Sequence, residues 1–163
     1  MSEKRKRLIL DLDTGVDDAL ALAYALGSPE VELVGVVCTY GNVTMRTAVR
    51  NTAALLELLG HSVSDQSISG WCRCAPGDGT AFLRAQVGRA VEDGVELLYV
   101  PTGPLTDLAH ALGAIPGLAD ALGRVTFMGG ALVVPGNVTP CAEANVANDP
   151  AAAEAVLPGG LVV

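Results

Sequence analysis

The sequence has few basic residues, few aromatic residues and no long apolar run. Lys and Arg number 10 against 18 Asp and Glu, so the formal net charge is −8. Binding to nucleic-acid phosphates needs a basic face, so we expect no nucleic-acid partner. No stretch reaches the roughly 18 apolar residues of a membrane span, so we expect no membrane partner. The basic start meets only three apolar residues before Asp11, too few for a signal peptide, and we expect a cytoplasmic protein.

Cysteine and lysine are also scarce. Cys72 and Cys74 are too close for the usual zinc-ligand spacing and lack a second Cys/His pair nearby, which argues against a zinc site. The only lysines, Lys4 and Lys6, precede the first predicted strand. This matters because Asp11-Leu-Asp13-Thr also fits the first motif of haloacid-dehalogenase-like phosphatases. That chemistry needs a downstream lysine to hold the phosphoryl group, so we disfavour it.

Strand-like and helix-like segments alternate along the chain, which predicts an α/β fold. Apolar runs at 8–12, 31–37, 95–100 and 125–128 are separated by helical patterns at 17–27, 45–59, 80–93, 105–113 and 116–122. We expect an open, mostly parallel Rossmann-like sheet with helices on both faces. A length of 163 residues fits one domain, 1–163, with an irregular polar loop at 61–79.

The last predicted helix begins with Asp149 as N-cap and Pro150 at its first position. Residues 160–163 read as the opening of a further strand that stops at once, so we expect a sheet that is incomplete at its C-terminal edge. An unpaired edge of this kind tends to pair with another chain, and we therefore expect a homo-oligomer.

Four acids lie within eight residues, starting near the end of the first predicted strand: Asp11, Asp13, Asp17 and Asp18. They fall at the carboxyl end of the strand and in the first turn of the next helix, where open α/β sheets bind ligands. Their mutual repulsion favours a bound cation, and oxygen ligands favour Ca²⁺ or Mg²⁺. Simple helix capping is the alternative. An EF-hand is excluded because its twelfth position, counted from Asp11, is Leu22 instead of Glu.

Polar residues also follow the later predicted strands, namely Asn42, Thr102 and the segment 137–145. If the strands are parallel, all these loops lie at the same edge of the sheet as the acids. Each residue also has a plainer interpretation, because Asn and Thr beside glycine or proline are common in turns.

Four motifs, in order, resemble those of the inosine-uridine preferring nucleoside hydrolases. They are Asp11-Leu-Asp-Thr-Gly-Val-Asp-Asp-Ala19, Gly41-Asn-Val-Thr44, Pro101-Thr-Gly-Pro-Leu-Thr-Asp-Leu-Ala109, and the run from Met128-Gly-Gly-Ala131 to Asp149-Pro150 that contains Gly136-Asn-Val-Thr-Pro140 and Ala142-Glu-Ala-Asn145. The resemblance covers 7–60 and 94–163 but not 61–79.

The resemblance implies a Ca²⁺-dependent N-ribohydrolase that cleaves the bond between ribose and base in a nucleoside. Asp13, Asp17 and Asp18 would ligate Ca²⁺ through carboxylates and Thr102 through its backbone carbonyl. Asp13 would also be the general base for the metal-bound water. Asp11 would lie behind the ligands as an acceptor. The residues that would hold ribose hydroxyls are Asn42, Asn137, Glu143 and Asn145.

The sequence departs from the family pattern at several places. The chain ends at Val163, whereas the family carries a further Asp ligand and a His that assists the leaving base in its second half. Ala144 stands where the family has a bulky aromatic residue, and Thr14 stands where it has proline. A non-catalytic homologue that binds metal or ribose, or that associates with a partner, is therefore the alternative function.

Overall fold

A computed structural model describes residues 5–61, 78–122 and 124–157. Its sheet contains three parallel strands, β1 (Lys6–Leu12), β2 (Val31–Cys38) and β3 (Leu97–Pro101), in the order β2-β1-β3. Their carboxyl ends therefore lie at one edge, with β1 in the centre. This confirms the predicted α/β class and the mostly parallel sheet.

Seven helices accompany the strands within the described residues. They are α1 (Val16–Gly27), α2 (Met45–Leu58), α3 (Asp78–Asp93), α4 (Thr106–Ala114), α5 (Leu118–Leu122), α6 (Ala144–Asn148) and α7 (Pro150–Val156). The predicted start of α7 is confirmed, since the Asp149 carboxylate accepts from the backbone N–H of Ala152 at 2.9 Å and Pro150 is the first helical residue. Among the described residues, no helix is long and apolar enough to cross a membrane.

Helices cover both faces of the sheet, because alternate side chains of β1 enter two separate apolar clusters. Leu8, Leu10 and Leu12 pack with residues of α1 and α2 on one face. Ile9 points to the other face, in a cluster built from β3 and helices α3, α4, α5 and α7. Strands buried on both sides are expected for a parallel sheet, and this arrangement confirms the predicted layers.

The predicted strand at 125–128 is reduced to one parallel bridge between Tyr99 and Val125 and one hydrogen bond from the Met128 N–H to the Pro101 carbonyl. The run is only four residues long before two glycines, and its pairing in the described chain is with β3 alone. A regular ladder needs more contact than this.

Two further predictions need correction. The segment 137–145, which was expected to be a loop, overlaps the short helix α6 (Ala144–Asn148). The irregular loop predicted at 61–79 extends two residues too far, because α3 begins at Asp78. Residues 62–77 and the predicted strand opening at 160–163 lie outside the described residues.

Candidate functional site

The polar loops meet at the carboxyl edge of the sheet, as the parallel strands require. Asp13 follows β1, and its carboxylate Oδ2 accepts from the backbone N–H of Asn42, after β2, at 2.6 Å. The Asn42 side-chain amide donates to the other oxygen of Asp13 at 3.2 Å. Thr102, after β3, donates its hydroxyl to Asp18 Oδ1. The structure thus brings together residues that are far apart in sequence.

Asp13 is buried, and two glycines make room for it. A Cβ on Gly41 would lie 2.0 Å from Asp13 Oδ2, and a Cβ on Gly103 would lie 3.2 Å from Asp13 Cβ and 2.6 Å from the Thr39 methyl carbon. Any side chain at either position would have to displace Asp13 or its surroundings. These glycines therefore help to define where the Asp13 carboxylate lies.

Asp18 is fully buried at the start of α1. Its Oδ2 accepts from the Gly15 N–H at 2.6 Å, which satisfies one of the free N–H groups at the helix N-terminus. Burial raises the pKa of Asp18, and a hydrogen bond with the neighbouring Asp13 carboxyl group raises it further, against the lowering effect of Thr102 and Gly15. Two buried acids in contact thus make the ionised form of Asp18 costly.

Asp17 lies differently from its two neighbours, because its side chain is exposed on the first turn of α1. Its Oδ1 and the Asn42 Nδ2 lie 2.7 and 2.8 Å from the point that a Cβ on Gly15 would occupy, so Asp17 still borders the cluster. Within the described ranges, no three His, Cys, Asp or Glu side chains lie close enough together to hold a metal ion as they stand.

Asp11 lies beneath the site on the face of the sheet that carries Tyr99. The Tyr99 hydroxyl donates to Asp11 Oδ2 at 2.8 Å, while Oδ1 is buried with no hydrogen-bond partner among the described residues. Burial raises the pKa of Asp11 well above its usual range, the nearby Asp107 adds to the rise, and the bond from Tyr99 opposes it. The Asp11 backbone carbonyl accepts from the Thr102 N–H at 2.9 Å, which ties β1 to the end of β3.

The segment that precedes α6 contributes an amide and a carboxylate that are engaged with backbone. Glu143 is the N-cap of α6 and accepts from the N–H groups of Asn145 and Val146, at 2.9 and 3.1 Å, and from that of Gly130 at 3.0 Å. Asn137 is exposed, and its Oδ1 accepts from the Ala144 N–H at 2.8 Å. Both residues therefore help to shape the loop in which they lie.

Asn145 is the buried member of this segment. Its side-chain Nδ2 donates to the backbone carbonyls of Thr102 at 2.8 Å and Met128 at 2.9 Å. It connects the loop at 137–145 directly to the predicted metal ligand Thr102. Of the predicted ribose-binding residues, Asn145 thus lies deepest, whereas Asn42 and Asn137 are at the surface.

Two residues around the site, Thr14 and Tyr99, have structural roles that the sequence did not indicate. Thr14 has a left-handed φ of 56°, and its buried hydroxyl contacts the Ala48 carbonyl and the Thr52 hydroxyl. Proline fixes φ near −65° and could not adopt this conformation, so the change from proline matters to the local backbone. Tyr99 could not be singled out either, because an aromatic residue in a strand is ordinary.

A further group that the sequence did not indicate links three segments of the chain, namely the loop after β2, the start of α4 and the start of α7. The Thr106 hydroxyl donates to Asp149 Oδ2 at 2.6 Å, and the Tyr40 hydroxyl lies 3.5 Å from the same oxygen. The hydrogen bond from Thr106, together with that from the Ala152 N–H, lowers the pKa of Asp149. The motif Asp149-Pro150 was a usable signal for the helix cap but not for this contact between loops.

Comparison with known proteins agrees with this arrangement. A family model described as inosine-uridine preferring nucleoside hydrolase matches residues 8–162. The probable uridine nucleosidase 2 of Arabidopsis thaliana is 34% identical over 96% of this chain and 57% of its own length. The pyrimidine-specific ribonucleoside hydrolase RihA of Salmonella typhimurium (strain LT2) is 35% identical over 96% of this chain and 58% of its own length.

A solved structure gives the same result at the level of the fold. The purine-preferring ribonucleoside hydrolase from Gardnerella vaginalis superposes with a TM-score of 0.79 and 39% identity, over 96% of this chain and 58% of that one. The chain thus spans somewhat more than half the length of the relatives that it matches. The sequence motifs, the parallel sheet and these similarities together establish that the chain belongs to the inosine-uridine preferring nucleoside hydrolase family.

Proposed function

We propose that this chain acts in the Ca²⁺-dependent hydrolysis of the N-glycosidic bond of nucleosides, which yields ribose and the free base. The observation that supports this best is the set of hydrogen bonds at one edge of the sheet, where Asn42 donates to Asp13, Thr102 donates to Asp18, and Asn145 donates to the Thr102 carbonyl. Relatives named for uridine, pyrimidine and purine nucleosides support a nucleoside as substrate.

The residues present fit a hard divalent cation. All the proposed donors are oxygens, namely the carboxylates of Asp13, Asp17 and Asp18 and the backbone carbonyl of Thr102, which suits Ca²⁺. Two carboxyl groups in contact repel each other when both are ionised, and a cation would relieve that repulsion. Asp17 is exposed beside Gly15, so its side chain has freedom to turn toward such an ion. When bound, Ca²⁺ would lower the pKa of a water molecule and orient it for attack.

The chain's own residues would perform the remaining steps. Asp13 would accept the proton of the attacking water, and the two N–H groups of Asn42 would hold its carboxylate in place. Cleavage of the glycosidic bond develops oxocarbenium character on the sugar, which nearby carboxylates stabilise. Asn137 Nδ2 has no hydrogen-bond partner in the part of the chain that the structure describes, and Glu143 and Asn145 have acceptor capacity, so these three residues could hold ribose hydroxyls.

Asp11 would act from behind the ligands, since its backbone carbonyl holds Thr102 and its carboxyl group is buried. Residues 1–163 would then work as one domain, because both apolar clusters pack on the same sheet.

Exposed apolar side chains at Leu132 and Val133 favour association of copies into a homo-oligomer. A single monomer peak in sedimentation at micromolar concentration would contradict that association.

A non-catalytic homologue that binds metal or ribose is the second candidate. The two histidines favour it, because no hydrogen bond joins the side chain of either one to Asp13, Asp18, Thr102 or Asn145 among the described residues. His61 follows the C-terminus of α2, which in a right-handed β-α-β unit lies toward the opposite edge of the sheet. His110 is exposed on α4 and interacts electrostatically with Asp107 and Asp149. Ca²⁺ binding without release of ribose from any nucleoside would select this function.

The proposal is tested by a reducing-sugar assay over inosine, guanosine, uridine and cytidine, with Ca²⁺ and with EDTA, and by Ca²⁺ calorimetry. We expect turnover only with Ca²⁺, and weaker Ca²⁺ binding in Asp17→Ala. The matched control is Asp120→Ala, which removes an exposed helical acid on α5 and should bind Ca²⁺ as wild type does. Equal binding by Asp17→Ala and wild type would remove Asp17 from the ligand set.

A further inference from the structure

The side-chain amide of Asn145 has only one possible orientation in this structure. Its Nδ2 faces two backbone carbonyl oxygens, those of Thr102 at 2.8 Å and Met128 at 2.9 Å. Carbonyl oxygens only accept hydrogen bonds, so the atom that faces both of them must be the nitrogen with its two hydrogens. An amide rotated by 180° would set oxygen against oxygen twice.

In this orientation, the side-chain oxygen Oδ1 is the part of the Asn145 amide that remains to accept a further hydrogen bond. Both N–H bonds are used, while no hydrogen bond to Oδ1 is found among the described residues. Asn145 is nevertheless buried, with 7% of its surface exposed, so the burial of this amide is compensated on its donor side by the two carbonyls alone. Toward a substrate, Asn145 can therefore act as an acceptor but not as a donor.

The two carbonyls mark the ends of neighbouring segments at the site. Thr102 follows β3 directly, and Met128 ends the segment that pairs with β3 through the bond from its N–H to Pro101. The peptide after Thr102 leads into Gly103, which lacks a side chain to restrain it, so the direction of the Thr102 carbonyl depends on its contacts. The amide of Asn145 supplies such a contact, and the carbonyl oxygen keeps a second lone pair for another partner.

We propose that Asn145 is a positioning residue, whose side-chain amide holds the Thr102 carbonyl in the direction needed for a cation. This inference rests on the proposed function, because it takes the Thr102 carbonyl as a ligand of Ca²⁺. Because Asn145 would act on the metal ligand itself, loss of its amide should weaken Ca²⁺ binding even when no nucleoside is present.

The test is Ca²⁺ calorimetry on wild type, Asn145→Ala and Asn148→Ala without nucleoside. Asn148 is an exposed asparagine on the same short helix, and loss of its side chain leaves its backbone carbonyl intact. Residues that orient metal ligands typically change metal affinity by about 10- to 100-fold, and we expect that loss in Asn145→Ala. Asn148→Ala should bind Ca²⁺ within about twofold of wild type. Melting curves in EDTA report any general loss of fold.

An NMR titration of wild type with Ca²⁺ provides a second test that does not depend on whether Asn145→Ala folds. The side-chain amide resonances of Asn145 should shift during Ca²⁺ titration with the same midpoint as the Thr102 carbonyl carbon. Resonances that stay fixed up to saturation would overturn the inference, as would equal Ca²⁺ affinity in wild type and Asn145→Ala. Absence of Ca²⁺ binding by wild type is a different outcome, because it overturns the proposed metal dependence and this inference with it.

Discussion

Replacing Gly41 with alanine should impair the site through a single added methyl group. The new Cβ would lie 2.0 Å from Asp13 Oδ2 and 2.9 Å from Asp13 Cγ, far inside van der Waals contact. Asp13 is buried and lies between Gly41 and Gly103, so its carboxylate must move by about 1 Å or more to restore normal contact. The carboxylate would then leave the Asn42 N–H that it accepts from at 2.6 Å.

The size of the effect follows from that lost bond. A hydrogen bond to a charged group contributes about 1.5–3 kcal/mol. If the loss falls on Ca²⁺ binding, it corresponds to roughly 10- to 150-fold weaker affinity. A displacement of 1 Å in a general base can also lower turnover by about 100-fold. We therefore expect Gly41→Ala to lose most activity and to bind Ca²⁺ more than tenfold less tightly.

The assay combines Ca²⁺ calorimetry, ribose release and thermal melting in EDTA. The matched control is Gly88→Ala, because Gly88 is an exposed residue in α3 and a Cβ there would meet nothing within 4 Å. That control should gain about 0.4–1 kcal/mol of stability and keep Ca²⁺ affinity and turnover. If Gly41→Ala keeps wild-type affinity and turnover, Asp13 does not have the position or the role that we assign to it.

Two further predictions concern stability. Gly35→Ala would place a Cβ 2.2 Å from the ring of Phe82 and should lower the free energy of unfolding in urea by about 1–3 kcal/mol. Adding Phe82→Leu to the Gly35→Ala chain should recover part of that free energy. If the effects of the two substitutions simply add, the contact is contradicted. Asp149→Ala removes the cap of α7 and should cost about 1 kcal/mol, or roughly 2–4 °C in Tm. The bonds from Thr106 and Ala152 lower the pKa of Asp149 in the folded protein. The difference in stability between wild type and Asp149→Ala should therefore have its full size at pH 7 and shrink as the pH falls below 3.8. A difference that does not change with pH would refute the assignment.

The layered fold was predictable because its signals are local. Apolar runs with helical patterns between them identified β1, β2 and β3 to within two residues at most boundaries, and Asp149-Pro150 identified the start of α7. Helix α6 was not predicted because its N-cap is Glu143, and glutamate is not among the usual N-cap residues. The run at 125–128 was overestimated because pairing depends on neighbours that the run itself does not specify.

The candidate site was predictable as a set of residues but not as a geometry. The motifs identified Asp13, Asp18, Thr102 and Asn145, and the parallel topology required their loops to share an edge. They could not indicate that Asp17 would remain exposed while Asp18 is buried beside Asp13. Adjacent residues on a helix point about 100° apart, and which of them is buried depends on how α1 lies against the sheet.

The sequence alone determined the order of β1, β2 and β3 and of the helices α1 to α5, the edge of the sheet at which the polar loops meet and the family to which the motifs point. These follow from periodicity, turn residues and the chemistry of clustered acids, all of which are short-range in sequence. Only the tertiary structure decided that Gly41 closes on Asp13, that Tyr99 supports Asp11 and that the Asn145 amide faces Thr102. Those contacts join residues 28 to 88 positions apart, and they exist because the parallel sheet brings distant strands and the loops that follow them side by side.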